Sequence, residues 1–252
     1  MEIVRGEFGK VKLIFFSDIH GNQYSFQQFL SQIQSLNFDK IIFLGDIFGY
    51  YYGQEEILNW LRKTDCVSIM GNHDRMFLDL LENRVGLDYL TQKYGSSYQR
   101  NFTCVSKKNI KFLEQCPDRY LLAVDGIRIG AFHGFCDDPL DGRIYPDTEI
   151  EDTALLDQFD FLFLGHTHHK MIRKKGKTWI INSGSLGQQR DGMGCSYSIF
   201  DTKSKILEMK CVDYDVNLLY QEVCEKDGNT KFAEVLYRKC KQPSKFYRSF
   251  YL

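Results

Sequence analysis

No stretch of this chain is apolar for long enough to cross a membrane, which takes about 18 residues or more, and the opening MEIVRGEFGK lacks an apolar core of the kind that leads secreted chains. Membrane spanning and secretion are therefore not expected, and the chain reads as cytoplasmic. Proline is scarce, four in 252 residues, and no linker, repeat or low-complexity tract interrupts the sequence. A single domain over 1–252 is expected, with a core at about 11–214 and a C-terminal helix and tail at 215–252. Cysteine is present without pattern: the closest two of the eight, Cys104 and Cys116, fit neither a CxxC knuckle nor a tight disulfide framework. The thiols read as reduced. Neither sign of charge prevails, since 32 Lys plus Arg stand against 33 Asp plus Glu, so no basic field argues for a stable nucleic-acid complex. Any charged ligand must be held locally. Nothing in the composition fixes an oligomeric state.

What is present is enough apolar material, 43% of residues, to bury a sizeable core. VKLIFFSD (11–18) is a short apolar run with a polar exit, and Phe26, Phe29, Leu30, Ile33 and Leu36 follow at helical spacing behind Asn22, a helix N-cap. DKIIFLGD (39–46) repeats the strand, with Ile57, Leu58 and Leu61 marking the next helix, and CVSIMGNHD (66–74) is a third strand emptying into a polar loop. Such units imply a sheet covered by helices, with ligands beyond the carboxyl ends of the strands. Residues 75–118 read as mainly helical. From about 119 to 214 antiparallel pairs should dominate, beginning with a hairpin at Asp125-Gly126 and continuing through turns at KKGK (174–177) and TKSK (202–205). Leu218, Leu219 and Val223 suggest a terminal helix, and the end SKFYRSFYL suggests a helix or loop packed on the body, with a docking peptide as the alternative.

The polar residues concentrate at strand exits: Asp18-x-His20, Gly45-Asp46, Gly71-Asn72-His73-Asp74, His133, and Gly165-His166-x-His168. Residues i and i+2 of an extended exit point the same way, about 6 to 7 Å apart, so Asp18 with His20, and His166 with His168, can each converge on one place. Singly, each block has a bland explanation as a cap, a turn or a coincidence. Jointly, five of six histidines fall on strand exits beside glycine or a carboxylate, which structural histidines have no reason to do. Carboxylate, imidazole and one amide, without cysteine, suit two divalent cations of the Mn, Fe, Co, Ni or Zn type, and Asp46 stands where a bridging ligand would. His169 faces away from the HxH pair on alternation, and Gly165 leaves room for the backbone to turn close against a crowded site.

The ordered set SDIHGN, GDIFGY, GNHD, AFHG and GHTH resembles the calcineurin-like metallophosphoesterase superfamily, and NSGSLGQQRDG (182–192) is similar to the NPGSxGQPRDG segment of its small bacterial and archaeal branch. The resemblance implies a four-layer α/β/β/α sandwich with two mixed sheets. It implies one metal held by Asp18, His20, Asp46 and His168, and another by Asp46, Asn72, His133 and His166, with manganese favoured. The activity implied is hydrolysis of small phosphate esters, nucleotides included, as a phosphodiesterase or phosphatase, by a metal-bridging hydroxide activated between ions about 3.5–4 Å apart. His73 is implied as the residue that stabilises the transition state or protonates the leaving oxygen. The alternative is a non-catalytic scaffold of the same fold that binds protein partners.

Several positions keep two readings. Arg190 either contacts a substrate phosphate or pairs with Asp191, and Asp74 either orients His73 or caps the following helix. GDIFGY departs from the GDxxDR of phosphoprotein phosphatases, which disfavours that activity. Where the branch carries Ser-Pro-Arg after its histidine, this chain has Phe135, Cys136 and Asp137, an acidic residue in place of a basic one. The 137–147 loop is expected beside the site in either case.

Overall fold

The computed structural model describes residues 4–6, 11–228, 230–238 and 249–252. In chain order the elements are β1 (Val4–Gly6), β2 (Lys12–Phe16), α1 (Gln23–Ile33), β3 (Lys40–Phe43), α2 (Gln54–Lys63), β4 (Cys66–Ser68) and α3 (Asn72–Leu81). Then follow α4 (Leu87–Tyr94), α5 (Ser97–Cys104), α6 (Lys107–Glu114), β5 (Arg119–Val124), β6 (Ile127–Phe132), β7 (Phe161–Leu164), β8 (Lys170–Lys175) and β9 (Thr178–Ser183). The chain ends with β10 (Cys195–Asp201), β11 (Ile206–Val212), α7 (Val216–Asp227), α8 (Lys231–Glu234) and β12 (Ser249–Tyr251).

Two mixed six-stranded sheets result, in the orders β12-β11-β10-β2-β3-β4 and β1-β5-β6-β7-β9-β8. Alternation along each strand sends neighbouring side chains to opposite faces. In β2, Leu13 and Phe15 enter the core between the sheets, whereas Ile14 and Phe16 pack against the helical layer. In β7, Phe161 and Phe163 face inward and Leu162 and Leu164 outward. The outer face of this second sheet is covered by the 134–160 segment, whose Phe135, Ile144, Ile150, Leu156 and Phe159 are buried on it around a single 3-10 turn, Leu156–Gln158. That fourth layer is thin.

Local signals position most elements. Asn22 caps α1, its side chain accepting from the Ser25 amide at 3.0 Å. Asp125 and Gly126, with φ of 50° and 75°, turn the β5–β6 hairpin so that Val124 pairs with Ile127. The KKGK and TKSK turns join β8 to β9 and β10 to β11.

Antiparallel pairs join β5 to β6, β8 to β9 and β10 to β11 as expected, and among them β7 lies parallel to both β6 and β9, in keeping with FLFL being buried at all four positions, as a strand covered on both faces must be. One expectation needs correction. The tail from 244 is not helix or loop where it is described. Residues 249–251 pair antiparallel with β11 and occupy what would otherwise be an open edge, with Phe250 against the inter-sheet core. Residues 244–248 lie outside the described residues. In α7, Leu219 and Val223 are buried as expected, but Leu218 is 47% exposed. Among the described residues no helix is long and apolar enough to cross a membrane.

The sheets meet at Phe15 and Phe163, whose rings stack at 3.6 Å between centroids and are fully or almost fully buried. Both strands lead directly into the polar exits. Phe163→Ala should therefore cost about 3–5 kcal/mol, read as a lowered midpoint in urea at unchanged m-value; a loss under about 1 kcal/mol would show that this contact is not central to the packing of the sheets.

Candidate metal centre

Parallel pairing of β3 with β2 and β4, and of β6 with β7, brings five strand exits to one edge of the sandwich. The exits are stitched together by backbone bonds: the Asp18 amide donates to the Gly45 carbonyl at 2.9 Å, and the Ile19 and His20 amides donate to the Asp46 carbonyl at 2.9 and 3.1 Å. Here the chain leaves the extended conformation. Asp18, His20, Asp46, His166 and His168 all have positive φ, between 50° and 69°, the left-handed region that costs a non-glycine residue about 1 kcal/mol or more and that gathers at functional sites. The simple alternation of an extended exit thus does not aim these side chains. Turns do.

Asp18, His20 and His168 form one group of facing ligand atoms, and Asp46, His133 and His166 form a second. His166 and His168 accordingly part company, one to each group. Asn72 reaches the second, with Oδ1 3.1 Å from His133 Nε2. A third grouping joins His20, Asp46 and His73, so His73 lies within reach of both carboxylate clusters. All of these residues are buried, Asp18, His20 and His133 completely. His169 stays apart, with Nδ1 2.6 Å from the Thr167 carbonyl and its ring edge-on to Tyr145.

Three imidazoles are held in a single tautomer. His20 Nδ1 lies 2.6 Å from the Phe48 carbonyl, His133 Nδ1 2.8 Å from that of Leu44, and His168 Nδ1 2.5 Å from that of Gln188. A carbonyl only accepts, so each Nδ1 carries a proton, and a ring that is neutral turns its Nε2 lone pair inward. His20 and His168 then oppose two lone pairs at 3.0 Å, beside Asp18 Oδ1 at 3.9 and 3.3 Å. Two acceptors and a carboxylate at such distances are what a cation requires, and the donor set of nitrogen and hard oxygen fits divalent ions of the Mn to Zn series.

The electrostatics agree. Burial works to raise Asp18, but the surrounding imidazoles His168, His133 and His20 together outweigh it and hold this carboxyl far below the ordinary range. Burial would lower His133, but the Asp46 carboxylate 3.3 Å away outweighs that and brings it up to about 9. Burial and the His133 charge push His166 down to about 3, and burial above all pushes His73 well down.

The arrangement answers the positions left open. Asp74 does not touch the His73 ring. It accepts from the amides of Asp46, Ile47, Phe48 and Gly71 at 2.7–3.2 Å, capping α3 and fixing the Asp46 turn together, while burial and the nearby Asp46 bring its pKa up to about 6. Arg190 does not pair with Asp191, whose carboxylate is taken by Lys170. Its guanidinium donates to the Tyr50 hydroxyl at 2.9 Å, and Tyr50 packs against His20 and His73. Gly165 fills its expected part: a Cβ there would lie 3.0 Å from Asp18 Oδ2.

Four contributors escaped the sequence reading. Tyr98 Oη lies 2.9 Å from His73 Nδ1 and donates to the His73 carbonyl at 3.2 Å, yet it comes from a segment read only as helical. Tyr50, in GDIFGY, carried a weak signal as an aromatic next to the motif glycine. Asn182 donates to the Gly165 carbonyl at 2.6 Å and the Thr167 hydroxyl at 3.2 Å, pinning the His166–His168 turn. Arg143, the single basic residue in the 137–147 loop, places Nε 2.9 Å from His166 Nε2.

A sequence profile described as the calcineurin-like phosphoesterase superfamily domain matches residues 11–205. The chain is 30% identical over 225 residues to an uncharacterized protein of Methanocaldococcus jannaschii, covering 82% of this chain and 89% of that one. Among solved structures it is similar to a metallophosphoesterase from Sphaerobacter thermophilus, with a TM-score of 0.69, 23% identity and 91% and 99% of the two chains covered. It is similar also to a hypothetical protein from Pyrococcus horikoshii, with a TM-score of 0.75, 16% identity and 92% and 100% covered. At these identities the structural likeness concerns the fold.

Two outcomes follow from the geometry. Because a cation must displace the His133 proton, Mn²⁺ affinity should rise about tenfold per pH unit between about pH 6 and 8, below the His133 value of about 9. Calorimetry in buffers of different ionisation enthalpy should then report about one proton released, and a pH-independent affinity would contradict the assignment. Asp74→Asn replaces one acceptor oxygen with a donor and strands buried amides at about 1–3 kcal/mol each, so it should lower both unfolding stability and metal affinity.

Proposed function

The chain belongs to the calcineurin-like phosphoesterase superfamily, and from that premise we propose that it is a hydrolase of phosphate esters dependent on two divalent metal ions, manganese among them, acting on small or nucleotide substrates as a phosphodiesterase or phosphatase. The observation that carries the reading is the pair of inward Nε2 atoms of His20 and His168, 3.0 Å apart beside buried carboxylates. Asp18, His20, Asp46 and His168 would hold one ion and Asp46, Asn72, His133 and His166 the other, with Asp46 shared. When bound, such ions supply a water of lowered pKa and neutralise charge on phosphoryl oxygens.

The remaining steps belong to the chain. His73 begins α3 and its amide donates to Asp46 Oδ1 at 2.8 Å, which ties the ring to the carboxylate cluster. The Tyr98 hydroxyl donates its one proton to the His73 carbonyl and therefore accepts from Nδ1–H, which leaves Nε2 of His73 to meet a phosphoryl or leaving oxygen. Burial keeps the ring neutral in the absence of substrate, and an incoming phosphate dianion favours the protonated form. Arg190, held on Tyr50, offers its guanidinium to substrate oxygens. A pure scaffold would have no use for a buried histidine–tyrosine pair beside the clusters. A cytoplasmic setting and one domain over the whole chain go with this reading, and the seven described cysteines are free thiols.

The test is turnover of bis(p-nitrophenyl) phosphate and p-nitrophenyl phosphate by the purified chain with Mn²⁺, Co²⁺, Ni²⁺, Zn²⁺ or Mg²⁺. His73→Ala should lower kcat by about 10²- to 10⁴-fold while metal content stays whole, whereas Asp46→Asn should lose both activity and bound metal. Absence of turnover with every metal would sink the enzyme reading.

A further inference from the structure

The loop DDPLDGRIYPD (137–147) holds four aspartates and one arginine. An arginine in such company would ordinarily pair with a carboxylate, yet among the described residues none lies within 4.0 Å of the Arg143 guanidinium. Its hydrogen bond goes to His166 instead. The backbone is built to hold it there. The Gly134 amide donates to the Pro139 carbonyl at 2.7 Å, and the Phe135 and Gly142 amides to that of Asp138 at 2.9 and 3.1 Å. A Cβ on Gly142 would lie 2.7 Å from the Asp138 carbonyl oxygen, and Ile144 is buried beneath the second sheet. Arg143 is thus carried at the site by a rigid turn.

Arg190 is matched to it in one respect: it too has no carboxylate within 4.0 Å among the described residues, because Lys170 occupies Asp191. Its own amide donates to the His168 carbonyl at 3.4 Å, and the Arg238 guanidinium donates to the Arg190 carbonyl at 3.0 Å. Arg143 therefore stands beside the Asp46–His133–His166 group and Arg190 beside the Asp18–His20–His168 group. The two guanidinium groups flank the centre, each without a counterion.

We propose that Arg143 and Arg190 together clamp a substrate carrying negative charge on both sides of the bond to be cut, Arg143 on the scissile phosphoryl group and Arg190 on a second phosphoryl group in the leaving portion. The substrate class is then a phosphoanhydride such as a nucleoside diphosphate, rather than a diester of neutral alcohols, which has charge on one side only. Arg143 also supplies from position 143 the basic group that Asp137 does not. His166 Nε2 has one lone pair, so it can face Arg143 or a cation but not both, and a cation held there would leave the guanidinium for an anion. The reaction is a hydrolysis: water gives an oxygen to phosphorus and its protons to products and solvent, the P–O bond to the bridging oxygen breaks with its electron pair remaining on that oxygen, and nothing is oxidised.

This inference rests on the phosphoesterase reading, and the experiment separates the two. Calorimetry on the full chain with excess Mn²⁺ would measure binding of inorganic phosphate and of α,β-methylene adenosine diphosphate, beside kcat/KM for adenosine diphosphate and bis(p-nitrophenyl) phosphate. Arg143→Gln should weaken both ligands by about 10- to 100-fold. Arg190→Gln should weaken the diphosphate analogue to that extent and leave inorganic phosphate within about twofold of wild type. Arg143→Lys, which keeps the charge without the fork, should fall between. Unchanged thermal midpoints would show that the variants fold. If the wild-type protein hydrolyses the diester but both glutamine variants bind both ligands as wild type does, the clamp is wrong and the phosphoesterase reading stands. If the wild-type protein hydrolyses neither substrate, nor p-nitrophenyl phosphate with any of the metals, both fall together.

Discussion

Two carboxylates, Asp18 and Asp46, are buried almost completely at the edge where the strands end, and the rest of the site answers to that constraint. A buried ion without a partner costs several kcal/mol. Amides supply part of the compensation, His166 donating to both oxygens of Asp18 at 3.1 Å and His73 to Asp46. Imidazoles supply no positive charge while neutral, and burial keeps His20 and His168 neutral, each donating its Nδ1–H to a carbonyl. The extra proton drawn onto His133 is the chain's own partial remedy. The deficit that remains is one that divalent cations would fill, and binding energy gained by such cations would also be folding energy.

The same constraint accounts for the strained backbone. Six of the nine described non-glycine residues with positive φ are Asp18, His20, Asp46, Tyr50, His166 and His168. Extended exits would have carried the ligands away from one another along the strand directions. Left-handed turns fold them back over the sheet edge, and small residues make the close approach possible. Gly71 lies so near Asp46 that any side chain there would collide with its carboxylate and amide. The strain is held by what lies behind it: the Phe15–Phe163 stack beneath two of the exits, Asp74 behind the Asp46 turn, and Asn182 behind that of His166 and His168.

How much of this could be read in the chain follows from the range of the forces involved. Strand exits, caps and two-residue turns are local, so the β-α units, the Asn22 cap, the Asp125-Gly126 hairpin and the clustering of Asp and His at exits were visible in the sequence. The direction of β7 was not, because an all-apolar run states that both faces are covered but not which strands lie beside it. The short tail strand was hidden for a related reason: a three-residue alternation is too brief to distinguish from loop. Contributors such as Tyr98 and Arg143 lie 25 and 23 residues from the histidines they touch; the 137–147 loop was expected beside the site, but nothing singled out Arg143 within it or Tyr98 within its helix. The reading of Arg190 as a surface ion pair failed because the competing cation, Lys170, arrives from another strand.

The two flanks of the centre differ in a way that bears on how such a site can be specific. On the Arg190 side, Tyr50, Tyr94 and Phe232 pack ring against ring, and the C-terminal segment closes over them, Gln189 donating to the Arg238 carbonyl at 2.9 Å. That wall is buried and has little freedom. On the Arg143 side a single turn of the 137–147 loop stands exposed over the thin outer layer of the second sheet. Ligand geometry is thus fixed by strands and their exits, which cannot vary without disturbing the core, whereas the charge presented to substrate is carried by a surface loop that can. Arg143 shows how such a loop can reach the centre: its guanidinium meets His166 although the residue lies in a surface turn and not at a strand exit.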